Sequence, residues 1–184
     1  MGVTLVPHRL EYAARMFELA SAPPVKDALG LRDQSVEDTK AFIRAVIGEE
    51  RRGESLSRVI LDEAGEVVGV TTLMHFSGER NRCHLGTWIG HEYWGLGYNS
   101  ESKQAILSIA FNDLHVEWVF LGARQTNVRS QRAQAKLPYI TLHVHGQFPE
   151  ELEALERREK TACVLHAVRR GDFVRYMEEP RECR

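Results

Sequence analysis

Gly95 and Gly97 stand one residue apart, between a β-rich stretch, Arg82 to Ile89, and a strong helical pattern after Asn99. Glycines at such a bend let the main chain approach a ligand closely, with several N–H groups turned the same way. Together with the positive end of the following helix they form an anion site, for which pyrophosphate is the natural guest. The plainer alternative is a tight strand-to-helix turn that binds nothing. Rival motifs fail on single residues. A dinucleotide fingerprint needs a third glycine where Ser100 stands, and a Walker loop needs a Gly-Lys-Ser/Thr end that is absent. His91-Glu92 opens an H-E-x-x-H zinc motif, but Gly95 replaces its second histidine. There is no G-x-S-x-G elbow.

Other chemistry-bearing groups have bland readings beside the functional ones. With 8 histidines in the chain a metal site is worth testing, and His143 and His145 share one face of a predicted strand. No third ligand is evident, so a solvated face is expected and no metal is assigned. Cys83 and Cys163 read as small buried fillers. Glu150, Glu151, Glu153 and Glu156 crowd one short segment; they could attract a cationic amine, or form a solvated charge run.

The elements that must position these groups alternate between strand and helix, which argues for a mixed α/β architecture. Val3-Thr4-Leu5-Val6 is a short β opening. Leu10, Ala13, Ala14 and Phe17 recur at helical spacing, and Ala22-Pro23-Pro24 ends that helix. A polar connection runs to Ser35, which caps a helix carrying Phe42, Ile43, Val46 and Ile47. Val59–Leu61 and Val67–Val70 flank the turn Asp62-Glu63-Ala64-Gly65, predicting a hairpin. Leu107, Ala110, Phe111 and Leu114 give the helix after the glycines its stripe. Trp118–Ala123 is almost continuously apolar, as a strand buried on both faces should be. A helix over about Asn127–Leu137 stops at Pro138, Tyr139–His145 alternates as a strand, and Pro149–Arg158 reads as an acidic helix. The last strand is Ala162–Val168, and the tail from Gly171 is expected to be polar and loosely held.

Length and composition bound the whole. The chain's 184 residues suit one domain, 1–184, with an ordered core of about 3–168 and the polar tail 171–184. Three cysteines, Cys83, Cys163 and Cys183, make no paired framework, so a reducing, cytoplasmic setting is expected. No apolar run approaches the roughly 18 residues that span a bilayer, and Met1–Arg15 lacks the order of a signal peptide. A net charge of −2 argues against nonspecific nucleic-acid binding as the main task.

The segment Gly86–Glu101 (Gly-Thr-Trp-Ile-Gly-His-Glu-Tyr-Trp-Gly-Leu-Gly-Tyr-Asn-Ser-Glu) resembles the central motif of GNAT acyltransferases. It is most similar to the ribosomal-protein N-terminal branch, the Rim group, which reads "G-Y-W … Y-W-G-x-G-Y-A-T-E". Asn127–Tyr139 resembles that branch's second block, "N-x-x-S-x-x … K-L-G-F", and the element order fits from residue 3 to about 168.

The resemblance implies a mostly antiparallel sheet flanked by helices and splayed at its centre to admit CoA. It implies that backbone N–H groups of Trp94, Gly95, Leu96, Gly97 and Tyr98, with Asn99 beside them, hold the pyrophosphate of acetyl-CoA. N–H groups near Trp88 and Ile89 would bind the thioester oxygen, and the pantetheine arm would lie against Trp118–Ala123. Asn127 would bind the pantetheine amide and Ser130 would donate to the leaving sulfur, unless both are simply helix-start residues. The family's tyrosine position holds Gln134, and its glutamate position holds His84, which becomes the candidate base or else a surface residue. Arg129, Arg132 and Lys136 would meet the 3′-phosphate or form a solvated face, with Arg132 the cofactor candidate. Glu92 and Pro138 depart from the usual signature.

The expected function is therefore N-acetyl transfer from acetyl-CoA to a primary amine by direct attack in a ternary complex. The acceptor is open between a ribosomal-protein or peptide N-terminus and a small polyamine, amino acid or aminoglycoside. Neither membrane nor direct nucleic-acid partners are expected, and a homodimer is compatible. The alternative is a non-catalytic acyl-CoA sensor or interaction module.

Overall fold

A computed structural model describes residues 2–30 and 32–179. The fold is mixed α/β, and the described residues form seven strands, numbered along the chain and ordered in space β1-β2-β3-β4-β5-β7-β6. Chain contacts resolve two compact units, Met1–His75 with Gly86–Ile109, and Phe76–Leu85 with Ala110–Arg184.

In the first unit β1 (Thr4–Val6) pairs antiparallel with β2 (Leu56–Leu61), which pairs antiparallel with β3 (Val67–Ser77). The predicted hairpin forms because Asp62 Oδ1 accepts the N–H groups of Ala64 and Glu66, both at 2.9 Å, while Gly65 adopts φ 82°. Both faces of these strands are covered. Val59, Val67 and Val70 join Ala13, Met16, Leu19 and Ile43 in one core cluster, and Ile60 and Val68 join Ile89 and Tyr98 in another. The close approach of β3 to the next strand, β4 (Arg82–Ile89), requires Gly69: a Cβ there would lie 2.2 Å from the Trp88 carbonyl oxygen.

The helices of this unit correct three expectations. Leu10–Tyr12 forms a 3-10 turn and α1 (Ala13–Ser21) starts only at Ala13, so the buried stripe is Ala13, Met16 and Leu19, and Leu10 stays 42% exposed. The connection after Ala22 is helical, α2 (Pro23–Leu29), because a proline at the first helical position lacks only a donor that would be unused there. In α3 (Val36–Arg51) the buried residues are Thr39, Ile43 and Val46, and Phe42 is 39% exposed. Ser35 is the expected cap: its Oγ accepts the Asp38 N–H at 3.2 Å, and Asp38 Oδ2 accepts the Gln34 N–H at 2.8 Å.

His8 is buried behind this sheet. Its Nε2 is 2.8 Å from Ser57 Oγ, which is 2.7 Å from Thr72 Oγ1. Burial, with the nearby Arg58 charge and against the opposing Glu50, lowers its pKa to about 4. The folded state therefore binds this proton more weakly than the unfolded chain. Stability is full above the ordinary histidine value of about 6.5 and is lost as pH falls toward 4, by about 3 kcal/mol in all. Urea unfolding of wild type and His8→Gln between pH 7 and 4 checks this. The variant should lose most of the difference in acid slope, and equal slopes would refute the assignment.

In the second unit β4 runs parallel to β5 (Trp118–Arg124), paired at Arg82–Trp118, Cys83–Val119 and His84–Phe120. β5 is antiparallel to β7 (Cys163–Arg169) over its whole length, and the two-residue β6 (Ile140–Thr141) pairs with β7 on the other side. Val119, Phe120 and Leu121 are all buried, as the apolar run predicts. Phe120, Val144, Phe148, Leu155, Cys163, Leu165 and Ala167 form the core. α4 (Tyr98–Ser108), which lies in the first unit, is followed by a single π-turn, Ile109–Asp113; α5 is Val128–Ala135 and α6 is Pro149–Glu159.

Two expectations fail here. The predicted strand Tyr139–His145 ends at Thr141, because His143 takes a left-handed φ of 53° and Val144–Gly146 coils into a 3-10 turn. The His143 N–H donates to His166 Nδ1 at 2.9 Å, so His143 and His145 do not share a strand face. The tail is not loose from Gly171. Arg170–Glu178 is a helix, α7, whose Phe173 packs on Phe111 and Tyr139 at ring distances of 5.3 and 5.0 Å. Cys183 lies outside the described residues.

Candidate functional site

After β4 the chain makes a 3-10 turn, His91–Tyr93, and then the glycine bend. Gly95 has φ 79° and Gly97 φ 91°, a left-handed backbone that side chains resist. Gly97 is the N-cap of α4, and its carbonyl accepts the first intrahelical bond, from the Glu101 N–H at 3.1 Å. Helix geometry leaves the N–H groups of Tyr98, Asn99 and Ser100 without intrahelical acceptors. Among the described residues no backbone carbonyl takes the N–H of Gly95, Leu96 or Gly97. The bend is open: nothing lies within 4 Å of a Cβ at Gly95, and Leu96 is 48% exposed. A row of main-chain donors at a positive helix end is a fit for a diphosphate.

One sequence-predicted residue serves the bend differently from the expectation. The Trp94 N–H is not a ligand donor, because the 3-10 turn directs it to the His91 carbonyl at 3.1 Å. Its indole Nε1 donates instead to the Ile89 carbonyl at 2.7 Å and ties the bend to the end of β4. Asn99 Oδ1 accepts from the buried Lys103 Nζ, and Tyr98 buries its ring against Tyr93, 5.7 Å between centroids. Ile89 is buried beside Tyr98, and Trp88 is half-buried. Glu92 is ion-paired with Arg15, which also donates to Tyr93 Oη at 3.0 Å.

The second unit assembles two further groups. His84 is buried on β4, with Nε2 2.8 Å from Glu151 Oε2 and its ring 5.2 Å from Phe120. Glu151, from α6, also accepts from Ser77 Oγ at 2.8 Å. The hydrogen bond to His84, helped by Ser77 and the Arg82 charge and opposed by burial, holds the Glu151 carboxyl below its ordinary range. An ionised carboxylate only accepts, so the proton of a neutral His84 sits on Nε2.

Glu151 was invisible within its acidic run, yet one signal marks it. Phe148, Leu152 and Leu155 set the apolar face of α6, and Glu151 falls on that face. The other members diverge. Glu150 pairs with Arg82 at 3.1 Å, Glu153 meets Arg157 at 4.0 Å, and Glu156 Oε1 accepts the Cys163 N–H at 3.0 Å.

On α5, Asn127 is the N-cap, its Oδ1 accepting the Ser130 N–H at 3.1 Å. Spacing of 3.6 residues per turn predicts one face for Asn127, Ser130, Ala133 and Leu137, and the buried side of α5 is shifted from it. Leu137 is buried, the first three are half-buried, and Gln134 is the fully buried member of α5. Gln134 Nε2 donates to the Gly122 carbonyl at 3.1 Å and to Ser130 Oγ at 3.3 Å. Arg132 is exposed. Burial pushes the Cys83 thiol up to about 12 and raises that of Cys163, so neither is an activated nucleophile. Among the described residues no group of three or more His, Cys, Asp or Glu could hold a metal ion, and no helix is long and apolar enough to cross a membrane.

A family profile described as "Acetyltransferase (GNAT) domain" matches residues 3–139. The chain belongs to the GNAT acetyltransferase family. No curated protein sequence matches it. Among solved structures, it is similar to the GNAT-family acetyltransferase from Bacillus anthracis: 16% identity, TM-score 0.72, 93% of this chain and 96% of that one covered. The ribosomal L7/L12 α-N-protein acetyltransferase RimL matches at 17% identity and TM-score 0.68, covering 77% of this chain and 78% of its own. The microcin C7 self-immunity acetyltransferase MccE, solved with acetyl-CoA and AMP, matches at 12% identity and TM-score 0.71, covering 91% and 92%.

Proposed function

We propose that this chain is an acetyl-CoA-dependent N-acetyltransferase that delivers the acetyl group to a primary amine by direct attack in a ternary complex. The observation that carries the reading is the glycine bend, with left-handed Gly95 and Gly97 heading α4 and a row of N–H groups that no backbone carbonyl takes among the described residues. Bound acetyl-CoA supplies an acetyl group activated as a thioester. The N–H groups of Gly95, Leu96, Gly97 and Tyr98 hold its diphosphate, and those near Trp88 and Ile89 polarise the thioester oxygen. His84 takes the proton from the attacking amine, directly or through water, with Glu151 holding its ring. Ser130 hydrogen-bonds the departing sulfur. Asn127 fixes the start of α5 as its cap, so a role on the pantetheine amide falls to its side-chain NH₂. Arg132, exposed, is available to the 3′-phosphate. Acceptors of similar folds include a ribosomal protein N-terminus, which makes peptide amines the first class to try.

A free-thiol assay with an amine panel tests this. The panel holds a ribosomal-type N-terminal peptide, a polyamine, an amino acid and an aminoglycoside. At least one should drive release of CoA thiol at about 1 s⁻¹ or faster. Tight CoA binding with no release for any amine would favour a non-catalytic acyl-CoA module instead.

A further inference from the structure

We infer that Gln134 is a positioning residue that turns the Ser130 hydroxyl into a dedicated donor. The inference rests on the reading of Ser130 as the group that meets the leaving sulfur.

Gln134 is 5% exposed on α5, and an amide at that depth is costly unless its atoms are used. Its orientation is not arbitrary. Nε2 faces the Gly122 carbonyl at 3.1 Å, and flipping the amide would set two carbonyl oxygens against each other. Both hydrogens of Nε2 are therefore committed, one to Gly122 and one to Ser130 Oγ at 3.3 Å. An amide nitrogen has no lone pair to offer, so Ser130 accepts in this contact and cannot donate.

Other helical serines show what Ser130 does not do. The hydroxyls of Ser21, Ser102 and Ser108 donate to the carbonyls of Phe17, Asn99 and Gln104 at 2.6, 3.0 and 3.0 Å. Among the described residues no acceptor takes the Ser130 hydroxyl proton. A hydroxyl that accepts a hydrogen bond is a stronger donor with its remaining proton. Gln134 also holds a buried Oε1 with no partner among the described residues.

In the reaction the amine nitrogen bonds the acetyl carbon, the C–S bond breaks, and its electron pair goes to sulfur. The Ser130 O–H hydrogen-bonds that thiolate. The proton given up by the amine leaves through His84 or water, and solvent protonates the thiolate to the free thiol.

Steady-state kinetics of Ser130→Ala, Gln134→Leu and the double variant test the inference, with Gln134→Met as a second probe should the leucine variant fold poorly. Gln134→Leu should lower kcat by about tenfold, with KM for acetyl-CoA within about threefold and a thermal midpoint within about 4 °C. The double variant should be no slower than Ser130→Ala, because the two residues act as one unit. If Ser130→Ala turns over normally, the underlying reading of Ser130 fails. If Ser130→Ala is slow while both Gln134 variants are normal, or if the two losses multiply, only the role of Gln134 is overturned.

Discussion

Replacing Gly97 by valine is expected to raise the dissociation constant for acetyl-CoA by about 100-fold or more. Gly97 sits at φ 91°, ψ −12°, a conformation that costs an ordinary residue about 1–2 kcal/mol and a β-branched one more. The chain relieves that strain by turning the peptide, and the turn misdirects the neighbouring N–H groups. Each charge-assisted hydrogen bond to a phosphate oxygen contributes about 1.5–3 kcal/mol, so losing two is enough for the effect. Leu96→Ala is the control. Its side chain is half exposed and the proposed donors are main-chain atoms, so affinity should stay within about threefold. Calorimetric titration of both variants checks the pair. Equal weakening by the two would mean that side chains, not the bend, hold the ligand.

The second large effect falls on the amine side. His84→Gln should lower kcat/KM by about 100-fold or more while leaving acetyl-CoA affinity unchanged, because a glutamine can keep a hydrogen bond to Glu151 but takes no proton. Glu151→Gln should cost about tenfold, since it leaves His84 buried but no longer held by a carboxylate. Glu151→Ala adds a stability loss of about 2 kcal/mol, as it strands both the His84 ring nitrogen and the Ser77 hydroxyl. The two kinetic losses should not multiply in the double variant. Full activity of His84→Gln would remove the base from the account without touching the coenzyme site.

The glycine bend is legible in the sequence because a left-handed backbone is written in the residue type itself. Strand β4 is legible to its ends, and β5 announces its double burial by an unbroken apolar run. Local hydrogen bonding is equally readable at Ser35 and Asp62, whose short polar side chains act within three or four residues. What fails is phase and distance. The stripe of α1 shifts because a 3-10 turn precedes it, and no spacing rule gives the residue at which one helix type yields to the other. The strand predicted at Tyr139–His145 alternates correctly, but His143 exchanges extended backbone for a bond to His166, 23 residues away. Glu151 is separated from His84 by 67 residues and sits among three similar carboxylates, so its pairing is a product of tertiary structure. Gln134 is the converse case. Its position is conspicuous as a departure from the family pattern, yet its hold on Ser130 emerges only once α5 rests on Gly122.

Titration calorimetry of the purified chain with acetyl-CoA tests the central claim most directly. The account predicts saturable binding of one molecule per chain that neither ATP nor RNA displaces at comparable concentration. Absence of any binding heat up to millimolar acetyl-CoA, or ready displacement by ATP, would contradict it.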